Sequence, residues 1–146
     1  MGMYIRGDIC MVNSSKLVND LIKKYETNDP FEIASRLGIW IYKCPLGSIN
    51  GHYIYAKRKK VFFINENLSL VDRTITCAHE LGHALMHSKA SAYFCTKNNF
   101  ENNSPIEIEC NRFASELLLN DKYKNMNSPI TSLTILKGFP KEFFIK

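Results

Sequence analysis

The sequence predicts an α+β fold in which a small sheet lies beside one long helix and a second helix crosses beneath it. Three observations predict this. Residues 74–88, TITCAHELGHALMHS, repeat their polar groups at helical spacing, and residues 103–120, NSPIEIECNRFASELLLN, carry a second helical pattern. Between the N-terminal third and the first of these lie three short runs rich in β-branched and aromatic residues, IWIYK, GHYIYA and VFFIN, which read as strands.

Taken in order, residues 14–30, SSKLVNDLIKKYETNDP, open on serine and place apolar groups at 17, 18, 21 and 22. This predicts an amphipathic helix running to the region of Asn28, Asp29 and Pro30. A shorter helix over 30–37 stops at Gly38. A strand follows at 39–43, and GHYIYA with VFFIN then reads as a hairpin around Lys57, Arg58, Lys59 and Lys60. Either VFFIN or the strand carrying His52 and Tyr53 could offer an open edge to an extended peptide; sequence alone does not identify an edge strand. The tail SLTILKGFPKEFFIK predicts two short helical turns around Gly138 and Pro140. No repeat or low-complexity linker interrupts the chain, so residues 1–146 are expected to form one domain.

The long helix carries the chemistry. Each helical residue advances about 100° and about 1.5 Å, so positions four apart share one face about 6 Å apart. His79 and His83 can therefore close on one ion. His87 lies about 12 Å from His79 along the axis and cannot join them, because a zinc–nitrogen bond spans only about 2.0–2.1 Å. His79-Glu80-x-x-His83 is the His-Glu-x-x-His pattern, in which two neutral imidazoles hold Zn2+ and the glutamate serves as general base in hydrolysis. Asp72, Thr76 and His87 complete a polar stripe roughly 100° wide. Val71, Ile75, Ala78, Gly82, Leu85 and Met86 form the opposite apolar face, continued by Leu81 and Ala84, so the helix is expected to be buried on more than one side. Gly82 costs about 1 kcal/mol relative to alanine inside a helix and signals close approach by another element.

A catalytic zinc usually takes three protein ligands, which directs attention to the second helix. Ser104 is a good N-cap and Pro105 suits the first helical position. Ala114 and Leu118 fall within about 20° of Glu107, whereas Glu109, Arg112 and Glu116 lie about 140–200° away. Glu107 alone among these carboxylates is expected to point inward, where it needs a partner or a metal. The alternative is a capping box in which Glu107 bonds back to Ser104. Asn111, one turn further on, is placed to orient a metal-bound histidine. Cys110, beside Glu107 on the apolar side, reads as a reduced core cysteine or a stray ligand. An oxyanion in the reaction would need a donor, and His52, Tyr53, Tyr55, His87 and Tyr93 are all able to provide one. For His87 the competing reading is a satisfied polar group at a helix C-terminus.

These motifs together resemble the ImmA/IrrE-type metallo-endopeptidases. The resemblance rests on TCAHELGHALMH (76–87), on VFFINENLSLVDR (61–73) upstream of it, and on EIECNRFASELLL (107–119), which is similar to the family's Glu-x-x-x-Asn-x-Phe-Ala-x-x-Leu-Leu helix. It covers roughly residues 30 to 120 and implies a zincin-like domain with His79, His83 and Glu107 on Zn2+, Glu80 as base and Asn111 in support. Asn120 stands where the family's helix usually ends in proline, a departure that touches helix termination and no ligand. The resemblance further implies cleavage of a helix-turn-helix transcriptional repressor of a phage or mobile element, with a toxin beside an antitoxin as the related alternative.

Composition agrees with a globular domain. Hydrophobic residues make up 45% of the chain, and no apolar run approaches the length of a membrane span. The N-terminus MGMYIRGDICMV has no signal-peptide hydrophobic region, so a cytoplasmic protein is expected. Five cysteines without a Cys-x-x-Cys pair argue against a disulfide framework or a cysteine zinc knuckle. The net charge of +5 and the run Lys57 to Lys60 open a competing class, a zinc-stabilised DNA-binding or sensor module. The short stretch after Asn120 weighs against a complete helix-turn-helix domain, so direct nucleic-acid contact is not expected.

Overall fold

The computed structural model describes residues 13–87 and 105–120, with two short strands, Tyr4–Ile5 (β1) and Asp8–Ile9 (β2), that pair antiparallel. The tail turns expected around Gly138 and Pro140 lie outside the described residues, as do Ser104 and Tyr93. No helix among the described residues is long and apolar enough to cross a membrane.

Helix α1 spans Ser14–Tyr25, and its N-cap is Asn13, whose side chain accepts from the Lys16 amide. It ends earlier than the composition of 14–30 suggests, at Glu26, which turns left-handed with φ 56°. The residues expected to prolong it have other uses. Asn28 donates to the Leu117 carbonyl at 3.3 Å, and Asp29 caps the next helix, α2 (Pro30–Arg36), by accepting from the Phe31 amide. Pro30 at the first position of α2 has no amide to leave unsatisfied.

Three strands follow: β3 (Trp40–Cys44), β4 (Gly51–Ala56) and β5 (Lys59–Asn65). Their spatial order is β3-β5-β4, with β5 parallel to β3 and antiparallel to β4. VFFIN therefore lies in the centre of the sheet and cannot offer an edge, because both of its sides are paired; among the described residues β4, with His52 and Tyr53, is an outer strand. The β4–β5 turn is Lys57-Arg58, both with positive φ, a two-residue link of the kind whose twist suits a hairpin. The tetrabasic run is consequently not one patch. Lys59 sits 4.8 Å over the Trp40 ring on one side of the sheet, and Lys60 donates to the Ala84 carbonyl at 2.7 Å on the other. Asn65 anchors the loop before β4 by donating to the carbonyls of Gly47 and Ile49.

Alternation along the strands separates two faces. Tyr53, Phe62 and Ile64 are fully buried toward the helices. The other face carries Trp40 and Tyr42, both about half exposed, with Tyr42 stacked on Phe63.

Helix α3, Leu70–Met86, starts at the cap Ser69 and is buried continuously from Thr74 to Ala84. It packs against α2, the sheet and α4 (Pro105–Leu118), and α1 closes over α4 from the far side. Between Thr74 and Ala84 the helix has no solvent face, so its polar residues there must find partners inside. The expected close approach at Gly82 is present: a Cβ there would stand 3.2 Å from both the Cα of Cys110 and Cδ1 of Phe113 on α4.

Gly82→Ala sets a helix-propensity gain of about 1 kcal/mol against overpacking that typically costs about 1–3 kcal/mol. One of the two neighbours that would have to yield is backbone and the other a ring buried in the core, so overpacking should win. Urea unfolding is expected to show a net loss on the order of 1 kcal/mol; an unchanged or raised midpoint would contradict the close packing.

Candidate metal centre

On α3, His79 and His83 occupy successive turns, with ring centroids 4.9 Å apart. Glu107, in the first turn of α4, meets both. Its Oε2 lies 2.8 Å from His79 Nε2 and its Oε1 lies 2.9 Å from His83 Nε2. The two Nε2 atoms are 3.2 Å apart, and all three residues are buried. Among the described residues, this is the set of histidine, cysteine and acidic side chains whose donor atoms converge, all within 4.8 Å of one another.

The donor set fits a metal ion. Four ligands at about 2.0–2.1 Å in a tetrahedron stand about 3.3 Å from each other, close to the separations observed. The proton count points the same way. His79 Nδ1 donates to Asn111 Oδ1 at 2.6 Å, which keeps a proton on Nδ1 and turns the Nε2 lone pair toward Glu107. A lone pair and a carboxylate oxygen at 2.8 Å need positive charge between them, either a second proton or a cation.

Burial pushes the Glu107 carboxyl upward, but the hydrogen bonds and charges of His79 and His83 outweigh it and hold it at about 2, against an ordinary 4.5. The carboxylate is thus ionised at any pH at which the fold operates. Cys110 behaves oppositely: burial, then the negative charges of Glu107, Glu80 and Glu109, raise its thiol well above the usual range. Protonated and packed against the Gly82 turn, it matches the core-cysteine reading.

Glu80 follows His79 and is 1% exposed. Gly51, at the start of the edge strand β4, lies against it. A Cβ on Gly51 would stand 3.3 Å from Glu80 Oε1 and would collide with the Thr76 methyl at 2.4 Å. Here a missing side chain brings an edge strand onto the helix beside the carboxylate. Sequence reasoning passed over Gly51, although a glycine within a strand is itself a signal of close backbone approach.

The remaining candidates are dispersed. Tyr53 shares the α3-facing side of β4 with Gly51 and is completely buried, edge to face with Phe62. Tyr55, on the same side, packs against the core. His52 lies on the opposite side, near Phe63, and burial lowers its pKa, favouring the neutral ring. His87 caps the C-terminus of α3 and gives its Nε2 proton to Glu109 Oε2 at 2.6 Å.

That last contact corrects the expectation that Glu107 alone points inward, since Glu109 is also buried, at 6% exposure. The helical wheel assigned Glu109 to solvent because it considers one packing partner. In the fold, α4 is enclosed by both α1 and α3, and the end of α3 reaches Glu109. The capping-box alternative for Glu107 involves Ser104 and so lies outside the described residues.

Comparison with known proteins adds an independent line. The family described as IrrE N-terminal-like domain, Peptidase_M78, matches residues 34–124. "Uncharacterized immunity region protein 2" of Bacillus phage phi105 is 38% identical over 142 residues, covering 94% of this chain and 89% of that protein. "Metallopeptidase ImmA" of Bacillus subtilis (strain 168) is 32% identical over 125 residues, covering 86% of this chain and 71% of that protein.

The depressed Glu107 pKa makes an acid-stability prediction for the metal-free protein. Its stabilising contribution is complete above the ordinary 4.5 and is lost as pH falls through about 2. Thermal melts of wild type and Glu107→Gln between pH 2 and pH 6 should therefore differ in acid dependence within that window, the variant being flatter. Parallel curves would remove the Glu107 contribution.

Proposed function

The chain belongs to the IrrE N-terminal-like peptidase family and is a metallopeptidase; on that premise we propose that it is a zinc-dependent endopeptidase acting on a helix-turn-helix repressor of a phage or other mobile element, with residues 1–146 forming one catalytic domain. The observation that carries the chemistry is the buried convergence of His79, His83 and Glu107 with Glu80 adjoining it. The choice of substrate is supported by the relatives' names, one an immunity region protein of a phage and the other ImmA.

In this reading His79, His83 and Glu107 hold the ion, and Asn111 keeps the His79 ring in the tautomer that binds it. When bound, zinc supplies Lewis-acid polarisation of the scissile carbonyl and of the attacking water. Glu80 takes the proton from that water and passes it to the leaving amine. A substrate segment would pair along the side of β4 opposite β5, so that backbone pairing sets the height of the scissile bond while Gly51 keeps β4 close to Glu80.

Metal analysis provides the first check. The purified protein should contain about one zinc per chain, and His79→Ala, His83→Ala and Glu107→Ala should each lose most of it, because three ligands make the shell. Full occupancy in Glu107→Ala would reassign the third ligand.

Glu80→Gln separates catalysis from binding. The amide has nearly the same shape but cannot accept a proton, so zinc and fold should persist while repressor cleavage falls by about 100-fold or more. The assay is co-expression with a helix-turn-helix repressor drawn from the gene's own neighbourhood, if one is encoded there, read as repressor size on a gel and as promoter activity. Equal derepression by both forms, with the repressor whole, would defeat the peptidase reading of this partner.

A further inference from the structure

The His87–Glu109 contact is a second buried polar link between α3 and α4, apart from the three converging donors. His87 is 7% and Glu109 6% exposed, and His87 Nε2 stands 2.6 Å from Glu109 Oε2. Such a link is a poor source of stability. Glu109 Oε1 has no hydrogen-bond partner among the described residues, and a buried carboxylate satisfied on one oxygen repays little of its desolvation. What a directional buried pair does supply is register.

Register is what the neighbouring site requires. Glu107 and Glu109, two residues apart, point about 160° away from each other around α4. Holding Glu109 therefore fixes the roll of α4 from the side opposite Glu107. A roll of about 20° would carry a side-chain tip, about 5–6 Å from the axis, through about 2 Å. That is as long as a zinc–ligand bond and far beyond the roughly 0.5 Å tolerance of a working site. Apolar packing of Phe113, Ala114 and Leu117 tolerates small slips better than a hydrogen bond does.

We propose that the buried His87–Glu109 pair is a positioning brace: it fixes the roll and axial register of α4 against α3 so that Glu107 meets His79 and His83. His87 then has the spacing of a ligand without the function of one. Asn111 on His79 and Glu109 on His87 flank the meeting point along α3, one at each end. The brace rests on the metal-site reading, and its test separates the two.

Cobalt(II) alone is titrated into the metal-free full chain, with affinity and the d–d absorption spectrum as readouts. His87→Ala and Glu109→Ala should still bind one ion at saturation, with affinity lowered about tenfold or more, as for other groups that orient metal ligands, and with an altered spectrum. The double variant should be no worse than either single, because one link is lost in each case. Glu109→Gln, whose amide oxygen still accepts from His87, should recover most of the loss and also serves if an alanine variant does not fold. Glu116→Ala removes the hydrogen bond from Ser14 to α4 and is the stability control, expected to leave cobalt affinity and spectrum as in wild type. Wild-type affinity and spectrum in His87→Ala, or equal losses in Glu116→Ala, overturn the brace alone. A wild type that takes up no cobalt overturns the metal site and the brace together.

Discussion

A carboxylate with 1% exposure, held between two imidazoles, is the constraint on which this structure turns. Isolated in an apolar interior it would be strongly disfavoured, so Glu107 can be buried only where positive charge is delivered to both of its oxygens. That requires the axes of α3 and α4 to approach closely enough for side chains one turn apart on α3 to reach a single residue of α4. Gly82 makes the approach feasible by letting the backbone of Cys110 come against α3. The remaining helices hold it. Asn28, just beyond α1, satisfies a carbonyl at the end of α4, and α2 backs α3.

The sheet covers α3 and brings β4 against it. Insertion of β5 between β3 and β4 buries the most apolar strand in the middle and leaves β4, among the described residues, at the border next to α3. Where β4 meets α3, Gly51 and Thr76 pack with no room for a side chain, so the backbone of β4 comes next to Glu80. Strand alternation turns His52 to the face of β4 away from Gly51.

Three histidines at identical spacing meet three different demands. His79 is held by Asn111, His83 shares Glu107 with it, and His87, where α3 ends, meets the far side of α4. The polar groups around the site thus divide into those whose lone pairs converge and those that hold the helices in register. Cys77 and Cys110 join neither group. Burial leads the causes that raise both thiols well above their usual range, leaving two imidazoles and a carboxylate as the donors, a nitrogen–oxygen set suited to a catalytic zinc.

Much of this was written in the chain order. Helical spacing placed His79, Glu80 and His83 on one face and excluded His87 from the same ion, because rise and twist per residue are properties of the backbone alone. Amphipathic periodicity marked α4 and turned Glu107 inward, and Gly82 announced a close neighbour. Other features depended on what each element meets. Whether VFFIN or GHYIYA lies at an edge depends on a third strand pairing from a distance. Glu109 is buried because the end of α3 and the flank of α1 enclose α4 on sides that a single wheel leaves open. The proximity of Gly51 to Glu80 arises between residues whose sequence separation carries no periodic signal. Local geometry repeats along the chain and can be read from spacing, whereas the partner across a packed interface is set by the simultaneous fit of several elements, and that fit exists only in the folded molecule.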